Sequence, residues 1–380
     1  MIRAPGRVNL IGEHTDYNGL PVLPMALNRE IVLQYAARPD DQVVLHNIDP
    51  RFAPVRFRLS QSIEPDPPGS WGNYPRAAGQ ALWRETGSLT GLEGEITSTL
   101  PMAAGLSSSS ALLVATALAL LEVSRREVPR DRLATVLALG ERYVGVQSGG
   151  MDQAICLNGR VGHALRIDFR PVLRLTPVPV PPSWRIIVAS SMVEAAKSAR
   201  ARDAYNTRVG ECRAALEQVT GQALGTAAPD YAAFLSRIPA ADALAAATPV
   251  LNQILLRRFR HVVTEAERVS QAEATLRQGD LAGFGALLHG SHSSLRDDYE
   301  VSTPELDRLV EIAERAGAAG ARLTGAGFGG CILAVTTSDN AEPVMEALRR
   351  EYYEPRGVRQ TDEVLFVAVP SEGATVLFRA

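Results

Sequence analysis

The chain is almost without lysine: of its 39 basic residues only Lys197 is lysine, and all the others are arginine. Cysteine is scarce as well. Cys156, Cys212 and Cys331 stand far apart with no C-x-x-C pair, so neither a disulfide framework nor a zinc site is indicated, and buried, reduced thiols are expected. No long hydrophobic run exists. The longest, residues 111–123, falls well short of the roughly 20 residues that span a bilayer, and it reads as an amphipathic helix. An excess of positive charge is also missing, since 39 Lys+Arg face 42 Asp+Glu for a formal net charge of -3 with the signs interspersed. That excludes the basic footprint of a nucleic-acid binder and the polybasic patch of a membrane-surface protein. The opening Met-Ile-Arg-Ala-Pro-Gly-Arg carries neither the apolar stretch of a secretory signal nor the pattern of a transit peptide. The expected setting is the cytoplasm, the expected partners are small molecules, and the expected state is a monomer or weak dimer.

What is present fits a packed globular protein, with 46% apolar and 21% charged residues. A length of 380 residues exceeds what one core usually needs, so two domains sharing a ligand-binding cleft are expected. Proline clusters at residues 177–182, which places the junction there and gives domains 1–180 and 181–380. Hydrophobic periodicity predicts strands at 30–36, 92–98 and 163–168 and helices at 74–86, 108–123 and 130–144 in the first half. In the second it predicts a buried strand at 185–189, helices at 205–216, 251–277 and 304–316, and strands at 331–335 and 364–369. Both halves are therefore α+β.

Three segments carry more polar chemistry or more glycine than packing requires. The first, Gly6-Arg7-Val8-Asn9-Leu10-Ile11-Gly12-Glu13-His14-Thr15-Asp16-Tyr17-Asn18-Gly19, sets two carboxylates, an arginine and a histidine between glycines. Carboxylates accept from sugar hydroxyls, and a permanently charged arginine offsets charge developing on a phosphoryl group. The plainer reading is a polar surface loop closed by the Asn18-Gly19 turn. In the second, Pro101-Met102-Ala103-Ala104-Gly105-Leu106-Ser107-Ser108-Ser109-Ser110-Ala111 leads into the apolar run of the next helix. A helix N-terminus reached through glycine suits phosphate, and serine hydroxyls suit Mg²⁺; simple N-capping is the alternative, although one cap needs one serine. No G-x-x-x-x-G-K-[ST] loop occurs, so the phosphate must be held without a P-loop lysine. The third segment, Leu323-Thr324-Gly325-Ala326-Gly327-Phe328-Gly329-Gly330, enters a strand and demands backbone freedom or close ligand approach.

In this order, the three segments resemble the galactokinase signature and the second and third motifs of the GHMP kinases. The likeness extends to Val146-Gln147-Ser148-Gly149-Gly150-Met151-Asp152-Gln153, to residues 261–265 and to residues 294–300. It implies a two-domain α+β fold, with a ribosomal-protein-S5-like N-terminal domain, a ferredoxin-like C-terminal domain and the active site between them. It also implies ATP and Mg²⁺, and phosphorylation of the anomeric C1 hydroxyl of galactose. By the same carry-over Asp152 faces that hydroxyl with Arg7 beside it, while Glu13, His14, Asp16, the Gly149 backbone and Tyr205 contact the sugar. Gly105, Leu106, Ser107, Ser108, Ser109, Gly325 and Gly327 would surround the nucleotide, and Trp71 would lie near adenine or else in the core. Ser109 would be one Mg²⁺ ligand. The family's second ligand, a glutamate, falls twelve residues before the aspartate, which is Gly140 here; Glu141 is one later and otherwise reads as part of a solvated helix face. Around Lys197 the chain resembles the N-acetylgalactosamine kinase branch, but Tyr205 resembles galactokinase proper, where that branch carries phenylalanine. Arabinose and uronic acids are further candidate substrates. A non-catalytic sugar sensor is disfavoured because the serine run is complete and Arg7 and Asp152 are both present.

Overall fold

The computed structural model describes residues 1–101, 104–193, 199–223 and 228–377. Met102, Ala103 and Lys197 lie outside the described residues. Numbered in chain order, the strands of the first sheet are β1 (Ile2–Asn9), β2 (Pro24–Ala37), β3 (Gln42–Asn47), β4 (Val55–Arg58), β5 (Leu92–Ser98) and β12 (Thr375–Val376). A hairpin follows, β6 (His163–Asp168) with β7 (Arg174–Pro179), and the second sheet consists of β8 (Trp184–Ser190), β9 (Gly320–Thr324), β10 (Cys331–Thr337) and β11 (Leu365–Ala368). The helices are α1 (Asn73–Thr86), α2 (Ser108–Val123), α3 (Arg130–Gly140), α4 (Met151–Asn158), α5 (Ala199–Gln218), α6 (Tyr231–Leu235), α7 (Ala240–Ala247), α8 (Gln253–Gln278), α9 (Leu281–Asp297), α10 (Pro304–Arg315) and α11 (Ala341–Leu348).

The first sheet runs β12-β1-β2-β5-β3-β4 and is antiparallel except where β3 pairs with β5. The second runs β11-β8-β10-β9, antiparallel throughout, which is the strand order of a ferredoxin-like βαββαβ unit. Its two faces serve two cores. Ile186, Val188, Leu333 and Val335 point into the core shared with the first sheet, while Ile187, Ala189, Ile332 and Ala334 point into a second core under α5, α8 and α10. Burial on both sides explains why β8 and β10 read as unbroken apolar runs rather than alternating ones.

One expectation needs correction. The helix at 108–123 is not amphipathic: eleven of its residues, on every face, are buried, because α2 is covered by β1, β2, α1 and α4 together. Segments after residue 180 also pack with the first half: β12 returns to pair with β1, and α8 and α9 lend Val269, Leu276, Phe284 and Leu288 to the first core. No helix among the described residues is long and apolar enough to cross a membrane.

Candidate active site

The first motif is not a surface loop. Residues 2–9 form β1, which is buried over nearly its whole length and carries a bulge between Pro5 and Arg7. Gly6 is required there, because a Cβ would stand 2.6 Å from the Leu106 carbonyl oxygen. The close approach lets the Arg7 amide donate to that same carbonyl at 3.1 Å, fastening β1 to the serine turn.

Arg7, Asp152 and the serine turn meet at one point. Arg7 grips Asp152 with two parallel bonds, Nε to Oδ1 at 2.7 Å and Nη2 to Oδ2 at 2.9 Å, and its Nη1 donates to the Gly105 carbonyl at 2.7 Å. The Ser107 hydroxyl also donates to Oδ2 of Asp152. Ser107 occupies the N-cap of α2 in a left-handed conformation, φ 58°, and its side chain makes no capping bond. The hydroxyl that would cap the helix is spent on Asp152, so the positive end of α2 is open to an external anion.

These groups line a cleft of about 1170 Å³, part of it open to solvent. Glu13, His14, Asp16, Tyr205 and Gly325 line it too, with Ser108, Ser109 and Glu141. Asp16 sits at the N-terminus of α4, where the Gly149 amide donates to its Oδ2 at 3.1 Å. Burial and the nearby charge of Asp152 raise Asp16 to about 6 in spite of that bond. His14 uses both ring nitrogens within the protein: Nε2 lies 3.1 Å from the Ala326 carbonyl and Nδ1 2.9 Å from the Tyr17 hydroxyl. A carbonyl can only accept, so Nε2 carries the proton and Nδ1 accepts from Tyr17. Burial pushes His14 down to about 3, which leaves the ring neutral, an apolar-edged wall beside Tyr205 and Tyr299. Glu13 is 2% exposed and is held by the Gly325 amide, the Thr324 hydroxyl at 3.2 Å and the Asn9 side chain. Burial raises it to about 7, against the opposing pull of Arg322, the Gly325 amide and Arg7.

Several candidates stand elsewhere than expected. Glu141 is not on a solvated face. It is buried, accepts from Ser110 Oγ at 2.8 Å and Ser148 Oγ at 2.6 Å, and is raised by its burial and by Asp152. Position 140 turns the other way: a Cβ on Gly140 would meet Ala81 Cβ of α1 at 3.1 Å. Gly149 does not line the cleft; its amide orients Asp16, and a side chain there would drive a Cβ to 2.3 Å from the Asp16 carbonyl carbon. Trp71 does not line it either, since its Nε1 donates to the Ala53 carbonyl at 2.9 Å and its ring meets Phe52 edge-on. Leu106 is core, contributing only its carbonyl to Arg7, and Gly327 packs against Val301, where a Cβ would lie 2.4 Å from a carbonyl oxygen. Tyr74, one turn after Trp71, lines the cleft and was not foreseen, nor were Ser148, Arg202, Val144 and Val146. Tyr74 stands in the first turn of α1, whereas Trp71 precedes the helix, so the two rings take different directions.

Residues 261–265 form a second layer. His261 Nε2 donates to the Glu13 carbonyl at 3.1 Å, and Glu265 accepts the Gly12 amide at 3.0 Å and the Ser291 hydroxyl at 2.6 Å. Although burial opposes it, Arg268 and its neighbours hold Glu265 down to about 2, so it braces the turn as a fixed carboxylate.

Comparison with known families agrees with this geometry. Residues 1–37 match the galactokinase galactose-binding signature, residues 73–160 the GHMP kinases N terminal domain and residues 272–354 the GHMP kinases C terminal family. The chain is 40% identical over 382 residues to a galactokinase of Roseiflexus sp. (strain RS-1), covering 98% of this chain and 92% of that protein. It is 35% identical over 378 residues to a galactokinase of Mannheimia succiniciproducens, covering 98% and 93%. The crystal structure of Lactococcus lactis galactokinase complexed with galactose superposes with a TM-score of 0.88 at 33% identity, over 99% of this chain and 94% of that one. With a near-full-length relative at this identity and the signature segment folded around the Arg7–Asp152 pair, the chain belongs to the galactokinase family of GHMP kinases.

Proposed function

We propose that this protein transfers the γ-phosphoryl group of ATP to the anomeric C1 hydroxyl of galactose, giving galactose 1-phosphate and ADP. The observation that carries the reading is the Arg7–Asp152 pair placed beside the uncapped N-terminus of α2. Phosphate belongs at that helix end, where backbone N–H groups and the helix dipole favour negative charge. The sugar belongs in the adjoining pocket, with Asp16 accepting from ring hydroxyls and Tyr205 closing one side. Asp152 orients the C1 hydroxyl and receives its proton as the new O–P bond forms and the β,γ-bridge bond breaks, while Arg7 offsets charge on the transferring group. In a loose phosphoryl-transfer transition state the nucleophile needs little prior deprotonation, so a carboxylate already paired with arginine suffices.

The donor set also fits Mg²⁺. Ser109 and Glu141 offer hydroxyl and carboxylate oxygens on one wall, and Glu141 lies beside Asp152 with only neutral hydrogen-bonding partners, so negative charge there is uncompensated. A hard cation taking few protein carboxylates and several phosphate oxygens matches that arrangement. When bound, it would neutralise charge on the β- and γ-phosphates. Glu141→Gln is expected to raise the Mg²⁺ concentration for half-maximal activity by about tenfold or more while galactose affinity by calorimetry stays unchanged. Equal Mg²⁺ titrations for both proteins would remove Glu141 from this role. ATP as co-substrate and three buried free thiols are consistent with a cytoplasmic enzyme.

The deciding experiment is a coupled ADP-release assay over galactose, N-acetylgalactosamine, galactosamine, arabinose, glucose and galacturonate. Galactose is expected to give the highest kcat/KM. Turnover of none would favour a sensor.

A further inference from the structure

Among the described residues the bulkiest wholly buried side chain is charged. Arg322, on β9, has no exposed surface, and it reaches across the domain boundary into the first motif. Its Nη1 donates to the carbonyls of Asn9 at 3.1 Å and Leu10 at 3.0 Å, and its Nη2 stands 3.4 Å from Oε2 of Glu13. Its Nε and Nη2 make no hydrogen bond, and neither does Oδ1 of the adjacent Asn9. A buried ion pair left this incompletely satisfied is a poor device for stability, because desolvation costs more than the pair returns. Its location suggests another use. Glu13 holds the Gly325 amide, Gly325 lies against the backbone of Gly105, with a built Cβ 3.0 Å from the Gly105 carbonyl oxygen, and that oxygen is the rest for Arg7 Nη1 at 2.7 Å.

We propose that Arg322 is a positioning residue for catalysis: from the second sheet it holds the Glu13 carboxylate against the Gly325 amide, and so sets the spacing between the third glycine-rich turn and the Gly105 carbonyl that supports Arg7. The inference rests on the reading of the cleft as a sugar-kinase site. Turnover by the unmodified protein tests that reading, and the variants below test only the inference.

The groups that face Glu13 are Arg7 on β1, Arg322 on β9, His261 and Glu265 on α8, and His14 and Asp16 on its own loop. Arg7 is paired with Asp152, Glu265 is held ionised, and burial leaves His14 and His261 neutral, the latter at about 4. Between pH 5 and 9 Glu13 therefore titrates near 7 and Asp16 near 6, and loss of Arg322 moves the first of these.

The test measures kcat, kcat/KM against pH, and urea unfolding for Arg322→Met, Glu13→Gln and the double variant. Arg322→Met is expected to lower kcat by about 100-fold, as misplacement of catalytic groups by an ångström does. Its acid limb should move upward by about one pH unit or more, since the cation that favours the ionised carboxylate is gone. In the double variant the neutral carboxamide that Glu13→Gln introduces accepts the Gly325 amide without needing a cation, so kcat should recover to within about tenfold of the unmodified protein. The limb near 7 should then vanish, leaving that of Asp16, and the urea midpoint should return. Should Arg322→Met fail to fold, the double variant still decides the matter through its kcat and its pH profile. A double variant with kcat as low as Arg322→Met, or an Arg322→Met enzyme whose acid limb stays in place, overturns the proposal, because Arg322 would then not act through Glu13.

Discussion

Asp152→Asn is expected to lower kcat by about three orders of magnitude, the upper part of the range for loss of a proton acceptor in the transition state. Galactose affinity, measured by calorimetry without nucleotide, should change by less than about tenfold, because the amide still accepts one hydrogen bond. The same substitution takes away the partner of Arg7, which is 7% exposed at its side chain and otherwise bonds only a carbonyl. Leaving a buried guanidinium without its counter-charge costs about 2 kcal/mol, discounted because Asp152 is itself 23% exposed. Combining Arg7→Met with Asp152→Asn should restore most of the urea midpoint and none of the activity. A kcat for Asp152→Asn within about tenfold of the unmodified enzyme would remove Asp152 from the reaction.

Asp16→Asn should move binding and stability in opposite directions. Loss of an ionised acceptor for ring hydroxyls is expected to weaken galactose binding by about 100-fold or more, since buried donors on the sugar are left poorly paired. The free protein, however, should gain. Burial and Asp152 raise the folded-state value of Asp16 from 3.8 to about 6, so folding takes up a proton between those values. The stabilising contribution of this group is then fully present below its unfolded value near 4 and is lost as pH rises through 6. At pH 8 the ionised carboxylate is therefore a burden, and its replacement by a neutral amide should raise stability by about 2 kcal/mol, with the gain absent at pH 4. Urea unfolding at the two pH values and calorimetry with galactose check both halves. A variant equally stable at pH 4 and pH 8 relative to the parent would show that Asp16 is not raised.

Much of the secondary structure was legible where a segment's period and its surroundings agree. The strands at 92–98 and 163–168 and the helix at 108–123 have the boundaries that hydrophobic pattern and serine turn imply. The helix α9 was not foreseen, because Gly283, Gly285 and Gly290 lower its helical propensity. The reason is tertiary. A Cβ on Gly285 would stand 2.0 Å from the Ala319 carbonyl oxygen, and one on Gly320 would strike Gly285 in return, so this helix lies backbone to backbone on β9. β1 was hidden in the same way, since Pro5 and Gly6 argue against a strand until the bulge and the Leu106 contact are seen.

By itself the sequence determined the chemical inventory and its order: the arginine and carboxylates of residues 7–16, the serine turn, Asp152, and the glycines of residues 325–330. Their types and local turns follow from short-range rules, which a linear motif records completely. Only the tertiary structure decided which of them face the cleft. One step along a helix rotates a side chain by about 100°, so whether position 140 or 141 points inward depends on how α3 crosses α1. The same holds for Tyr74 in place of Trp71, for Gly149 acting on Asp16 rather than lining the cleft, and for Arg322, whose partners lie more than 300 residues away. Those contacts join segments far apart in the chain, and no local pattern encodes how such segments meet.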